Sequence, residues 1–406
     1  MRLRLDLARA SWLALAAVGL TLLVLAAILP GRAVRAEDRI TLQGNYFREA
    51  STRVLAPTID IEMDLPDERF TLGGSYLLDA VSSASIAAGA AAVTGGDAVF
   101  TELRHQAALR VRSKLDGWTF GGFFRYSSES DYISRAFGLN VSRELFEKSG
   151  TLSLAYSGSF DRVLVIRPSF RDTVPWISPS DPAIATCEAE DPTTCGNNLL
   201  QSHYFNVGYG HALHRTVLAG LNLEVQYIHG PQENPYRRVD GAFFQAHPYT
   251  RRRFAPNAFI RWALPRAEFI VFEQRYRLHV DDWGVLSHTT DTRLHFRIAK
   301  ILRLRLRYSF YTQKGANFWI PMTERPYPAD AELMTSDPKL SAFMTHTPGI
   351  QLTVELKPLA RFRGLRWLDG AWVQATYNHI FPVTDHPLDY YYGNARLGSL
   401  AFSVPF

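Results

Sequence analysis

The chain has 406 residues, of which 47% are hydrophobic, 13% aromatic and 20% charged. That is too polar for a bundle of membrane helices, but it suits a lipid-embedded β-barrel, in which alternate residues face lipid and aromatic rings gather at the interfaces. The formal charge of +5 is no sign of nucleic-acid binding, because most of the excess lies in the first 36 residues.

Arg2, Arg4 and Arg9 precede an uncharged run from Trp12 to Leu29, followed by Pro30-Gly31 and the small-residue site Val34-Arg35-Ala36. This order predicts a secretory signal peptide over residues 1–36 and an exported barrel over 37–406. The run is also long enough to act as a retained helical anchor. Cleavage removes five arginines and one aspartate, leaving 39 basic and 38 acidic residues and a formal charge of +1.

Beyond the leader, period-two alternation of apolar and polar residues predicts sixteen strands. In chain order they cover 40–49, 53–65, 70–80, 99–115, 118–127, 131–145, 151–165, 200–213, 217–229, 253–262, 269–281, 287–298, 302–312, 341–356, 371–381 and 394–406. The clearest is Leu302-Arg303-Leu304-Arg305-Leu306-Arg307-Tyr308-Ser309-Phe310, in which a leucine face opposes an arginine face. In 269–281 the face of Glu273, Arg275, Arg277 and His279 opposes Phe272, Tyr276, Leu278 and Val280. Repeated apolar-out, polar-in strands are what lipid demands, since it leaves no open backbone edge satisfied. The expected fold is an all-β transmembrane antiparallel barrel of about sixteen strands, with fourteen or eighteen as alternatives.

The connections sort the same way. Short turns at 66–69, 116–117, 147–150, 214–216 and 264–266 alternate with longer segments at 81–98, 166–199, 230–252, 313–340 and 382–393, matching short periplasmic turns and longer outer loops. The exceptions are brief outer connections near Ala50, Glu129 and Trp283, and a longer inner one at 357–370. Cys187 and Cys195, the only two cysteines, lie in the 166–199 segment. In an exported chain they are expected to form a disulfide; a metal site is the alternative, although two ligands do not fill a coordination shell. The last strand places Phe402, Val404 and the terminal Phe406 on one face, like the signal read by the barrel-assembly machinery of the outer membrane.

Three segments stand out: Gly74–Ser85, with Asp79, Ser82 and Ser85; Glu102-Leu103-Arg104-His105; and Ser127–Arg135, with Asp131, Tyr132 and Arg135. They resemble the bacterial family catalogued as domain of unknown function 3570. Thr151–Ser157 with Asp161-Arg162, and the loop Asn234-Pro235-Tyr236-Arg237, resemble later parts of it. The resemblance implies an outer-membrane barrel without an assigned activity. Gene neighbours of the family, which encode flavin-attaching and thioredoxin-like proteins, imply a periplasmic redox protein as a partner. The Ala/Gly-rich tract 84–97 departs from the family pattern.

The chemistry carried by the strands is charge. Expected pore-lining residues are Arg104, Arg110 and Arg112 on one wall, and Arg261, Glu273, Arg275, Arg277, Asp291, Arg293, Arg297, Arg303, Arg305 and Arg307 on another. They read either as a field that concentrates anions or as an arginine–carboxylate ladder that stiffens the wall. The sequence carries no haem-attachment motif, phosphate loop or EF-hand loop, and its strand histidines lie near no serine-nucleophile motif, so no enzyme activity, cofactor or metal is expected. Two functions remain: a channel or transporter for small, anionic solutes, or a scaffold barrel that holds an exported redox partner.

Overall fold

The computed structural model describes residues 38–49, 52–65, 69–83, 100–129, 132–163, 198–233, 238–239, 243–267, 269–321, 332–384 and 393–406. The leader, the two cysteines, Ser85, Asp131 and Asn234–Arg237 lie outside them, as does the side chain of Ser82.

The strands are β1 (Arg39–Arg48), β2 (Thr52–Asp64), β3 (Phe70–Ser83), β4 (Phe100–Leu115), β5 (Trp118–Ser128) and β6 (Tyr132–Leu145). Next come β7 (Gly150–Val163), β8 (Asn198–His214), β9 (Val217–His229) and a short hairpin of β10 (Arg238–Val239) with β11 (Phe243–Phe244). The chain continues with β12 (Thr250–Ala263), β13 (Ile270–Asp281), β14 (Leu286–Ala299), β15 (Leu302–Gln313), β16 (Phe343–Glu355), β17 (Trp372–Val383) and β18 (Ala395–Pro405).

Sixteen of these strands form one closed antiparallel barrel, and β10–β11 stands apart. Closure comes from β1 against β18, in register from Arg39↔Pro405 to Arg48↔Arg396. Alternation along each strand dictates the two surfaces. Leu109 and Leu221 are each 68% exposed on the outside, where lipid takes the place of a protein core. Asp79, Asp161, Glu273 and Asp291 are buried on the other face. Both termini lie at one end, with the tight turns; at Asp116-Gly117 both residues have positive φ, as a two-residue hairpin that follows the strand twist requires. By the barrel convention this is the periplasmic end.

Two differences from the sequence reading concern the outer end. β12 begins at Thr250, three residues before the predicted start. The run Arg251-Arg252-Arg253 hid the alternation, since the buried Arg251 and the exposed Arg252 are chemically alike. The described parts of the connections 230–252 and 313–340 are also organised, together with the tight turn at Trp283. Trp283, Val285, Ala316 and Leu340 form a buried cluster with Phe318 and Trp319 against it. Isolated bridges Ala246↔Met334 and Trp319↔Thr335 tie the segments together. The result is a cap over one side of the outer mouth. At the other end, the 357–370 connection forms two 3-10 turns, Lys357–Arg361 and Arg363–Leu368.

Candidate functional site

The interior wall made by β12 to β15 gathers the charged residues. Glu273, with a side chain 0% exposed, accepts from Arg261 (Nη2–Oε2 2.5 Å), Arg275 (Nε–Oε1 2.6 Å) and Arg293 (Nη1–Oε1 3.3 Å). Asp291, one row further out, accepts from Arg293 Nε at 2.6 Å and Arg307 Nη2 at 2.5 Å. Four guanidinium groups therefore share two carboxylates. Arg305 adds a fifth and donates to the neutral Gln351. Arg303 pairs with Glu355, and Arg297 lies exposed near the periplasmic mouth, opposite Arg303 in register.

The opposite wall is closer to balance. Arg104 pairs with Asp79 at 2.6 Å and lies 3.7 Å from Glu129. Arg110 pairs with Asp60 at 2.7 Å and lies 3.6 Å from Glu62, and Arg112 reaches Thr71 Oγ1 at 3.5 Å. The Arg110–Asp60 pair joins β4 to β2 over the intervening β3. The crossing needs Gly73, where a Cβ would stand 3.0 Å from the arginine Nε. Two similar crossings occur elsewhere. Arg277 reaches Glu224 at 2.8 Å over β12, at the level of the buried Ala255. Arg307 reaches Asn378 at 3.5 Å over Gly349.

The residues behind the family resemblance find one another. Asp79 meets Arg104, Tyr76 Oη lies 2.7 Å from His105 Nδ1, and Tyr132 donates to Asp161 at 2.5 Å. These are contacts between strands, so the motif binds the wall together. Arg135 is exposed on the outer face. Phe402 and Val404 share the outward face of β18, and the Phe406 N–H donates to the Asp38 carbonyl at 3.3 Å.

Sequence reasoning missed a chamber of about 580 Å³ between the wall and the cap at the outer end. Arg251, Arg253 and Arg277 reach it from the wall, and His247, Asp337 and Lys339 from the cap. Arg251 pairs with Asp281 at 2.5 Å and stacks 4.1 Å over the Trp283 ring, while Arg253 donates to Gln226 at 3.1 Å. A second cavity of about 390 Å³, with His295, Arg305 and Gln351 in its lining, lies on the periplasmic side of the Asp291 row. No local motif marks the chamber, because its parts come from connections distant in sequence.

His247 holds the cap together. Its ring packs 5.2 Å from Trp283 and 5.5 Å from Phe318, and its backbone N–H donates to Glu233 Oε1 at 3.0 Å. Burial holds the imidazole pKa below the usual value, against the pull of the Glu233 and Asp337 carboxylates and with the help of Arg251. The docked cap thus prefers the neutral ring, whereas an undocked ring titrates near its ordinary value of about 6.5. Docking is therefore favoured above that pH and weakens as pH falls below it. Bilayer recordings at pH 7.5 and 5 should show larger or noisier conductance in acid, and His247→Phe should remove the difference. Equal traces for the wild type at both pH values would show that the cap is not held by this ring.

An apolar outside and a charged inside, closed without a free edge, define a bacterial outer-membrane β-barrel. Within that class, the chain belongs to the family described as "Protein of unknown function (DUF3570)", which it matches over residues 94–366. The match begins after the segment with Asp79, Ser82 and Ser85. No curated protein is similar to the chain in sequence. Similar solved structures include a "Bacterial polysaccharide outer membrane secretin", at 6% identity and TM-score 0.49, covering 92% of this chain and 100% of that one. A BenF-like porin from Pseudomonas fluorescens Pf-5 is 8% identical with TM-score 0.43, covering 91% and 98%. OprD of Pseudomonas aeruginosa is 8% identical with TM-score 0.42, covering 91% and 94%.

Proposed function

We propose that this barrel is a diffusion channel for small solutes with a preference for anions, rather than an enzyme. The observation that supports the reading is the charge inventory of the β12–β15 wall. Arg261, Arg275, Arg293 and Arg307 share only Glu273 and Asp291, and Arg305 has an amide partner. Both readings of the sequence thus meet in one wall: the arginines are paired, yet the pairing leaves a positive excess. Inside a low-dielectric barrel such an excess raises the local anion concentration. A sixteen-stranded barrel is also too wide for wall side chains alone to fill.

The test is reconstitution into planar bilayers under a salt gradient. The wild type should conduct, with a reversal potential on the anion side. Replacing Arg303, Arg305 and Arg307 by glutamate should shift it toward cations, and Arg305→Glu should supply the largest share. The preference should fade at 1 M salt, where the screening length is about 3 Å. Silent bilayers with folded protein would overturn the channel in favour of a scaffold barrel for a redox partner. Conductance indifferent to the triple change would overturn the anion preference.

A further inference from the structure

The lipid-facing surface carries a charged row that conduction does not use. Arg53 of β2, Arg48 of β1 and Arg396 of β18 are direct cross-strand neighbours, and His379 of β17 follows in the same row. The three arginines are exposed. They share the outward face of Leu55, Tyr46, Leu400 and Tyr377, at the end of the barrel away from the termini. Like charges set side by side across a ladder repel one another. Among the described residues, no carboxylate pairs with any of the three. A row of this kind, on a surface that must meet the membrane boundary, calls for an anion from outside the protein.

Below the row lies a slot. Gly398 stands in register between Tyr46 on one side and Tyr377 on the other. A Cβ at Gly398 would meet only the Thr376 carbonyl oxygen, at 4.0 Å, and one at the nearby outward Gly44 would meet nothing within that distance. Two tyrosine rings thus flank a glycine floor that leads from the arginines toward the apolar belt. Arginine forks match phosphate oxygens in pairs. Three of them on neighbouring strands span roughly 10 Å at a strand spacing of about 4.8 Å, which is broad for a single phosphate.

We infer that this row and slot form a docking site for a phosphate-bearing glycolipid of the outer leaflet, one with two separated phosphates. The phosphates sit on Arg48, Arg53 and Arg396, and an acyl chain lies over Gly398 between Tyr46 and Tyr377. The site goes beyond the channel reading and does not depend on it. Further exposed arginines, Arg135, Arg162 and Arg252, lie at the same end on other strands. Asp282, beside Arg252, accepts from the Arg252 backbone N–H at 2.9 Å. At the periplasmic rim Arg143 is half-buried and lies 5.0 Å over the Trp118 ring, while exposed arginines such as Arg215 and Arg266 sit in the turns rather than in a row across neighbouring strands.

The experiment is native mass spectrometry of the detergent-solubilised full chain, titrated with bisphosphorylated lipid A, monophosphorylated lipid A and phosphatidylglycerol. The wild type should bind the bisphosphorylated lipid about tenfold more tightly than phosphatidylglycerol, with the monophosphorylated form between them. R48Q/R53Q/R396Q should bring it down to the phosphatidylglycerol level. Gly398→Leu, which fills the slot, should weaken all three lipids, and Arg143→Gln should change none. Equal wild-type affinity for bisphosphorylated lipid A and phosphatidylglycerol would overturn the proposal, whatever the variants do. So would an R48Q/R53Q/R396Q variant that binds like the wild type.

Discussion

Leu306→Arg is expected to cost about 2–4 kcal/mol of barrel stability, the range for a cation on the lipid face near the midplane. Leu306 is 40% exposed on the outside and lies in register between Leu294 and Ile350, so a guanidinium there meets only apolar neighbours. Arg305→Leu, one residue away, acts on the opposite face and gives up one bond, to Gln351. It should fold nearly as well as the wild type. Urea titration of barrels folded into vesicles measures both. If the two variants prove equally tolerated, the assignment of faces along β15 is wrong.

The second large effect is expected at Glu273. Its carboxylate is fully buried beneath Arg261, Arg275 and Arg293, and Glu273→Gln removes the charge while keeping the shape. Removing a buried charged acceptor typically costs about 1–3 kcal/mol; Arg261 and Arg275 are nearly half exposed to the lumen, so the loss stays below that of a fully buried pair. Arg275→Gln added to the same chain should recover part of that loss, since it removes one of the stranded cations. The single variant should also raise anion preference in bilayers. A Glu273→Gln barrel as stable as the wild type, with unchanged selectivity, would mean that the cluster is neither a strut nor a source of field.

The strands and their facing were legible because lipid and water impose opposite demands on alternate residues. Leu302 to Phe310 shows this without any partner strand in view. The alternation of short and long connections checked the count independently. What could not be read was the register between strands, which decides that Arg293 serves both Glu273 and Asp291 while Arg305 serves neither. The outer cap was hidden for a similar reason. Its bridges join residues some 90 positions apart, such as Ala246 and Met334, and period-two patterning says nothing about connections. Arg48, Arg53 and Arg396 come from opposite ends of the chain, so only closure of the barrel reveals them as a row.

The crossings at Gly73, Ala255 and Gly349 bear on how the barrel is put together. Each lets a side chain reach past its neighbouring strand to the one beyond, from Arg110 to Asp60, Arg277 to Glu224 and Arg307 to Asn378. A hairpin that forms alone holds only one end of such a tie, and the cations of Arg110 and Arg277 then wait without a counter-charge in a wall that is losing its water. Strand pairs are thus poor stopping points along the assembly route. Groups of three strands are the smallest pieces in which these charges are satisfied, and the ties act as hoops that resist peeling from either side of the β1–β18 seam.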